Sequence, residues 1–175
     1  MQEFIYKIGQ ATRPSRTWAQ RLWMKLYGLP VHPFHNFVRR RLLISLGLPT
    51  TTSIGEHFFC SSNLLTVGEY TGFGHGLFIL AYAPVKIGHH CSFSFDNKII
   101  TSSHDFCEFS TVIAKPITIG DNVWITSNVT ILPGVTIGSN TIIGAGSVVT
   151  HDIPSGVLAA GNPCKVIKEI SFSIE

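Results

Sequence analysis

Two hydrophobic rhythms divide the chain. Between Ser15 and Tyr27, the residues Trp18, Leu22, Trp23, Leu26 and Tyr27 fall on one broad helical face, with Arg21 and Lys25 on its flank. This predicts an amphipathic helix stopped by Gly28-Leu29-Pro30. A second helical stretch follows Pro33, covers Phe34–Leu46 and ends at Gly47. Beyond residue 50 the helical period vanishes. Ile119, Ile125, Ile131, Ile137, Ile143 and Val149 recur every six residues without a break. Four residues after the first five stand Val123, Val129, Val135, Thr141 and Ser147, all small or β-branched. The same beat runs through Val67, Phe73, Ile79 and Val85, then through Ile87, Phe93 and Ile99 after a two-residue shift.

A period of six fits neither a helix nor plain alternation. It fits one short strand plus one corner, with the large aliphatic pointing inward. Half of the residues that follow the aliphatics are glycines (Gly120, Gly138, Gly144), expected to supply backbone freedom at the corners. Three sides close a triangular coil of about 18 residues, and coils stack at about 4.8 Å. The expected fold is a mainly β, parallel β-helix with a helical N-terminal arm.

The beat fails once. From Ile99 to Ile119 the chain runs 20 residues, and the pattern is lost over Ser103–Pro116. Read as one coil with two extra residues, this predicts an extruded loop, a common place for function. His104 opens the loop, and Trp124 takes the same outward position in the next hexad. The pair is therefore expected on one wall, one coil apart, facing a cleft between subunits.

Composition narrows the class. The 175 residues are 45% apolar and only 13% charged, with a mean hydropathy of +0.28. That excludes a disordered chain. The longest apolar stretch, 76–85, is far short of the roughly 18 residues of a membrane span. The opening residues lack a basic start followed by an apolar block, so no secretory signal is expected. Cys60, Cys91, Cys107 and Cys164 show no paired or zinc spacing and read as reduced thiols of a cytoplasmic protein. The histidines other than His104 likewise show no metal-ligand spacing, and no metal is expected.

Charge is split. Residues 1–49 hold eight Lys or Arg against Glu3 alone, a net +7, whereas residues 50–175 carry five basic and nine acidic side chains, a net −4. This marks a basic arm (1–49) on an acidic solenoid (50–175). Such an arm suits nucleic acid, an anionic membrane surface or an acidic subunit face. No groove-reading or stacking motif accompanies it, so nucleic acid is not expected. A solvated helical cap is the ordinary alternative.

Residues 116–170 closely resemble the C-terminal half of the bacterial hexapeptide-repeat O-acetyltransferases, including the galactoside, maltose and colanic-acid enzymes. The resemblance rests on Ser103-His104-Asp105, on Ile119-Gly120-Asp121-Asn122-Val123-Trp124-Ile125 and on Ala160-Gly161-Asn162-Pro163. It is densest over 85–170, and the arm looks closer to the colanic-acid type. It implies a left-handed parallel β-helix, a homotrimer with active sites between subunits, acetyl-CoA as co-substrate and a sugar or glycan-precursor acceptor. It implies His104 as general base, a role suited to imidazole with its ordinary pKa near about 6.5. Asp105 or a backbone carbonyl would fix its tautomer, and Ser127 or a backbone N–H would meet the oxyanion. Trp124 and Ser127 would lie near the thioester, Ala145, Thr150 and His151 along the pantetheine, and Lys165 and Lys168 near the phosphates. His151 stands where the family usually has Lys, and Lys165 and Lys168 where Arg is frequent, which implies a weaker phosphate grip. Amino-sugar, serine and xenobiotic acetyltransferases are the neighbouring readings, and a non-catalytic solenoid is the reading outside enzymes.

Overall fold

The computed structural model describes residues 2–7, 14–27 and 35–171. The helix stop at 28–30, Pro33, Phe34 and His32 lie outside those residues, as does the side chain of His35. The body is a parallel β-solenoid with three walls: a four-stranded sheet, a five-stranded sheet and a seven-stranded sheet. The six-residue beat becomes three vertical columns. Ile54, Phe73, Phe93, Ile125, Ile143 and Ala159 stack on the seven-stranded wall. Cys60, Ile79, Ile99, Ile131 and Val149 stack on the five-stranded wall. Val67, Ile87, Ile119 and Ile137 form the third column. All are buried, and so are Val123, Val129, Val135, Thr141 and Ser147. The two-residue shift also has its cause. Ile79 and Ile87 stand in neighbouring columns eight residues apart instead of six, so the two extra residues sit in the corner at 81–84.

The glycines work differently from expectation. Left-handed φ angles fall two residues later, at Asn122, Asn140 and Gly146, not at Gly120, Gly138 or Gly144. Gly120 is needed for close approach: a Cβ there would sit 2.7 Å from the backbone nitrogen of Ser139 in the next coil. Coil-to-coil contact, not corner conformation, selects glycine at that position.

The helices are Trp18–Tyr27 and His35–Leu46. The first begins three residues later than its pattern suggests, because Thr17 and Gln20 form a reciprocal cap of 3.3 and 3.0 Å. Its buried face is also rotated. Gln20 and Tyr27 are buried, Trp23 and Met24 are partly so, whereas Trp18 is 77% exposed and Leu22 is exposed too. Gln20 explains the rotation, since its amide donates to the Ser45 carbonyl of the second helix at 2.8 Å. The second helix ends in a Schellman motif at Gly47 (φ 69°), with Leu48 N–H on the Leu43 carbonyl. Val38, Leu42, Leu43 and Leu46 then join Ile54, Phe58 and Cys60 in one core, closing the first coil.

Phe4–Lys7, expected inside a helical arm, is a strand. It pairs antiparallel with Thr111–Ala114, which pairs in turn with Ser102–His104. Four residues alternating between half-buried and exposed carry too short a period to show in the sequence.

Candidate active site

The break in the beat is larger than two residues. Ile87 pairs directly with Ile119, and Ile99 with Ile131, a separation of 32 residues against 20 in the coil before and 18 in the coil after. Ile99 to Ile119 is therefore not a full coil; it passes only from the five-stranded to the four-stranded wall. The surplus is a β-hairpin, Ser102–His104 with Thr111–Ala114, standing off that corner. His104 and Trp124 consequently lie in different sheets, not on one wall as the hexad count suggested.

The hairpin holds the His104 ring closely. Its Nδ1 lies 2.7 Å from the carbonyl oxygen of Phe109, and the Phe109 ring stacks on it at 4.2 Å and 11°. A carbonyl only accepts, so Nδ1 carries the proton and Nε2 presents its lone pair. Asp105 faces elsewhere. Its Oδ1 accepts from the backbone N–H groups of Cys107 (2.7 Å) and Glu108 (2.9 Å), which shapes the turn and holds its carboxyl below the usual range. Of the two candidates for fixing the tautomer, the structure supplies the carbonyl.

The N-terminal strand braces this hairpin, a contribution that sequence reasoning missed. The Tyr6 hydroxyl donates to the Tyr82 carbonyl at 2.7 Å, and the two rings meet edge to face at 5.8 Å. Lys7 meets Glu108 at 3.2 Å and Glu3 meets Lys115 at 2.8 Å. Both pairs are partly exposed, so each stabilises weakly. A pocket of about 190 Å³ opens at the hairpin's foot, lined by His104, Ser102, Ser103, Leu80, Tyr82 and Val112.

A second group of expected site residues occupies the seven-stranded wall and its edge. Trp124 pairs with Ile142, Ile142 with Leu158 and Leu158 with Lys168, while Ile125, Ile143 and Ala159 alternate inward. The outward row thus runs from an indole, 45% exposed, across two aliphatics to an ammonium. It spans about 14 Å at ordinary strand spacing. The Trp124 Nε1 donates to Ser94 Oγ at 3.3 Å. At the adjoining corner Ser127 stacks directly before Ala145, through Gly146 N–H on the Ser127 carbonyl at 3.0 Å. Lys165 pairs with Ala160 at the same edge. Thr150 and His151, joined at 2.7 Å, follow the five-stranded wall and lie on the hairpin's corner instead.

The expected residues therefore fall into two groups at opposite edges of the five-stranded wall. His104, Thr150 and His151 occupy one edge; Trp124, Ser127, Ala145, Lys165 and Lys168 occupy the other side. A wall about 16 Å wide separates them within one chain.

Comparison with known proteins fits this geometry. The family model for bacterial transferase hexapeptide (six repeats) matches residues 116–151. Galactoside O-acetyltransferase of Escherichia coli is 43% identical over 119 residues, covering 67% of this chain and 54% of that protein. The chain thus spans about half the length of that relative. A maltose O-acetyltransferase from Clostridium difficile superposes with a TM-score of 0.72 at 30% identity, covering 87% of this chain and 85% of the other. A hexapeptide-repeat acetyltransferase from Vibrio cholerae, complexed with acetyl coenzyme A, superposes at 0.75 with 28% identity, covering 88% and 86%. With its columns in hexapeptide register and its sequence related along most of both chains, the protein belongs to the hexapeptide-repeat acetyltransferase family.

Proposed function

We propose that the protein transfers an acetyl group from acetyl-CoA to a hydroxyl of a sugar or glycan precursor, in clefts between the subunits of a homotrimer. The observation that carries this reading is the fixed tautomer of His104. With Nδ1–H held by the Phe109 carbonyl, Nε2 is free to take the acceptor's hydroxyl proton as its oxygen attacks the thioester carbonyl. The C–S bond then breaks, and the imidazolium returns the proton to the departing thiolate. Because the acetyl group arrives activated, no covalent enzyme intermediate is needed. Ser127 Oγ or a backbone N–H would stabilise the oxyanion.

The separation of the two residue groups supports the trimer. A second copy, setting its hairpin against the seven-stranded wall of the first, supplies what one chain keeps apart. The apolar row from Trp124 to Lys168 suits a pantetheine arm ending in phosphates, with the thioester at the indole end. In this reading the exposed Ala145 and Lys165 flank that arm. Thr150 and His151 reach the coenzyme from the hairpin's corner, and Asp105 acts by shaping the turn.

The arm adds a location. Trp18, Phe37 and Ile44 are more than half exposed, beside Arg21, Lys25, Arg40 and Arg41, with the Arg41 guanidinium 5.2 Å over the Phe37 ring. This mixture suits the anionic inner surface of a membrane. No described helix is long and apolar enough to cross one. Four free cysteines fit a cytoplasmic setting.

The test is a thiol-release assay with acetyl-CoA against sugars, amino sugars, serine and chloramphenicol, with products identified by mass. An O-acetylated sugar is the expected product. Exclusive N-acetylation, or no transfer to any sugar, overturns the reading.

A further inference from the structure

Away from the proposed active site, Glu56, His57 and His75 crowd one exposed corner near the N-terminal end of the solenoid. Each offers one donor atom, and these atoms all lie within 4.8 Å of one another. The two imidazole centroids are 4.7 Å apart, at 66°. The ligands come from two successive coils, Glu56 and His57 from the first and His75 from the second. That is why their positions along the chain show no metal-ligand spacing; stacking creates it.

The backbone beneath them is tightly fixed. Gly76 N–H donates to the Glu56 carbonyl at 2.9 Å, and Asp96 N–H to the His75 carbonyl at 2.8 Å. A Cβ on Gly55 would come within 2.5 Å of the Gly74 carbonyl carbon, so the coils are in direct contact here. His57 adopts a left-handed φ of 58°, which turns its side chain out of the corner without ending the coil.

We propose that this corner binds one divalent transition-metal ion of the zinc type through two imidazoles and a carboxylate, clamping the first coil to the second. Two nitrogens and one oxygen are a zinc-type donor set, and imidazole disfavours Mg²⁺ and Ca²⁺. Ligand atoms around a tetrahedral Zn²⁺ lie about 3.3 Å apart, given bonds of about 2.0–2.1 Å. The three exposed side chains, with ligand atoms now at most 4.8 Å apart, have to close by about 1.5 Å to reach that spacing. Water would complete the shell. The corner continues through Phe95 to Ser127, two coils and about 10 Å away, so the ion takes no part in acetyl transfer. Its effect is on the end coil, which is covered by the helices and has no further coil beyond it.

The experiment is calorimetric titration of the full chain with Zn²⁺, paired with thermal unfolding. Wild type should bind one ion per chain and unfold several degrees higher with the ion present. His75→Ala and His57→Asn should each weaken binding at least tenfold and abolish the thermal shift; asparagine tolerates the left-handed φ at 57. Glu56→Gln, expected to weaken binding likewise, tests the same ligand set should either histidine variant fail to fold. His90→Ala is the control, since that ring stacks on Tyr70 and faces no carboxylate of the trio. Absence of Zn²⁺ binding by wild type, or equal binding by all four variants, would overturn the proposal and leave the acetyltransferase reading untouched.

Discussion

The solenoid walls and the His104 hairpin are built on opposite principles. In the walls, one aliphatic every six residues faces a column of its own kind, and stability is a sum of nearly identical steps between neighbouring coils. The hairpin repeats nothing. It leaves the stack at a corner and is held by single contacts: one strand from the far N-terminus, one tyrosine hydroxyl, two exposed ion pairs. Phe106 and Phe109 lie bare at its tip. The regular part resists unfolding, whereas the irregular part places an imidazole. Substitutions in the two regions should therefore fail in different assays.

The largest effect belongs to the walls. Ile131→Ala removes a side chain 1% exposed inside its column, between Ile99 and Val149, and should cost about 2–5 kcal/mol of stability, read by denaturant unfolding. Activity per folded molecule should stay near wild type. Next comes the hairpin. His104→Ala should lower turnover by about 10²-fold or more while unfolding at the same denaturant concentration. Tyr6→Phe, which removes the 2.7 Å bond to Tyr82, should cost only about 0.5–1.5 kcal/mol and reduce turnover modestly by loosening the brace. If Tyr6→Phe destabilised the protein as much as Ile131→Ala, the division between wall and hairpin would fail.

The smallest effect is in acid. Backbone donors hold the Asp105 carboxyl low, and the nearby Thr111 hydroxyl, with hydrogen bonds from Lys7 and Ser110, holds Glu108 low. A depressed folded pKa contributes order that is present above the ordinary carboxylate range and disappears as pH falls through the folded value. The hairpin amides should therefore lose exchange protection in acid before the wall amides do. Simultaneous loss would place both regions in one cooperative unit.

The same contrast explains what the sequence made legible. Repetition made the walls readable: every inward residue from Val67 to Val149 in the six-residue pattern is buried where the period put it. It also misled. The hexad pattern from Ile99 to Ile119 reads as a full coil, because a hairpin inserted at a corner leaves the later register intact. The motif singles out His104 and leaves Asp105 or a backbone carbonyl as its partner, but not which carbonyl. The Phe109 carbonyl is backbone, and no residue type encodes it. The bracing strand was hidden for a related reason, since pairing between residues 4–7 and 111–114 leaves no local pattern. In the first helix, Gln20 on the buried face displaced Trp18 and Leu22 from it, because a hydrogen bond to Ser45 outweighed hydrophobic periodicity.

In the proposed trimer, two groups of residues separated within one chain meet across a subunit boundary. Mixing two inactive variants tests it directly. His104→Ala removes the proposed base, and Ala145→Arg places a bulky side chain on the proposed coenzyme path without disturbing the core, since Ala145 is exposed. Co-refolded in equal amounts, they should form hybrid trimers in which about a quarter of clefts pair an intact His104 with an intact coenzyme wall, given random assembly around a threefold axis. Acetyl transfer at about a quarter of the wild-type rate is the predicted result. Activity no higher than that of the separate variants would contradict a shared site and return the whole of it to one chain.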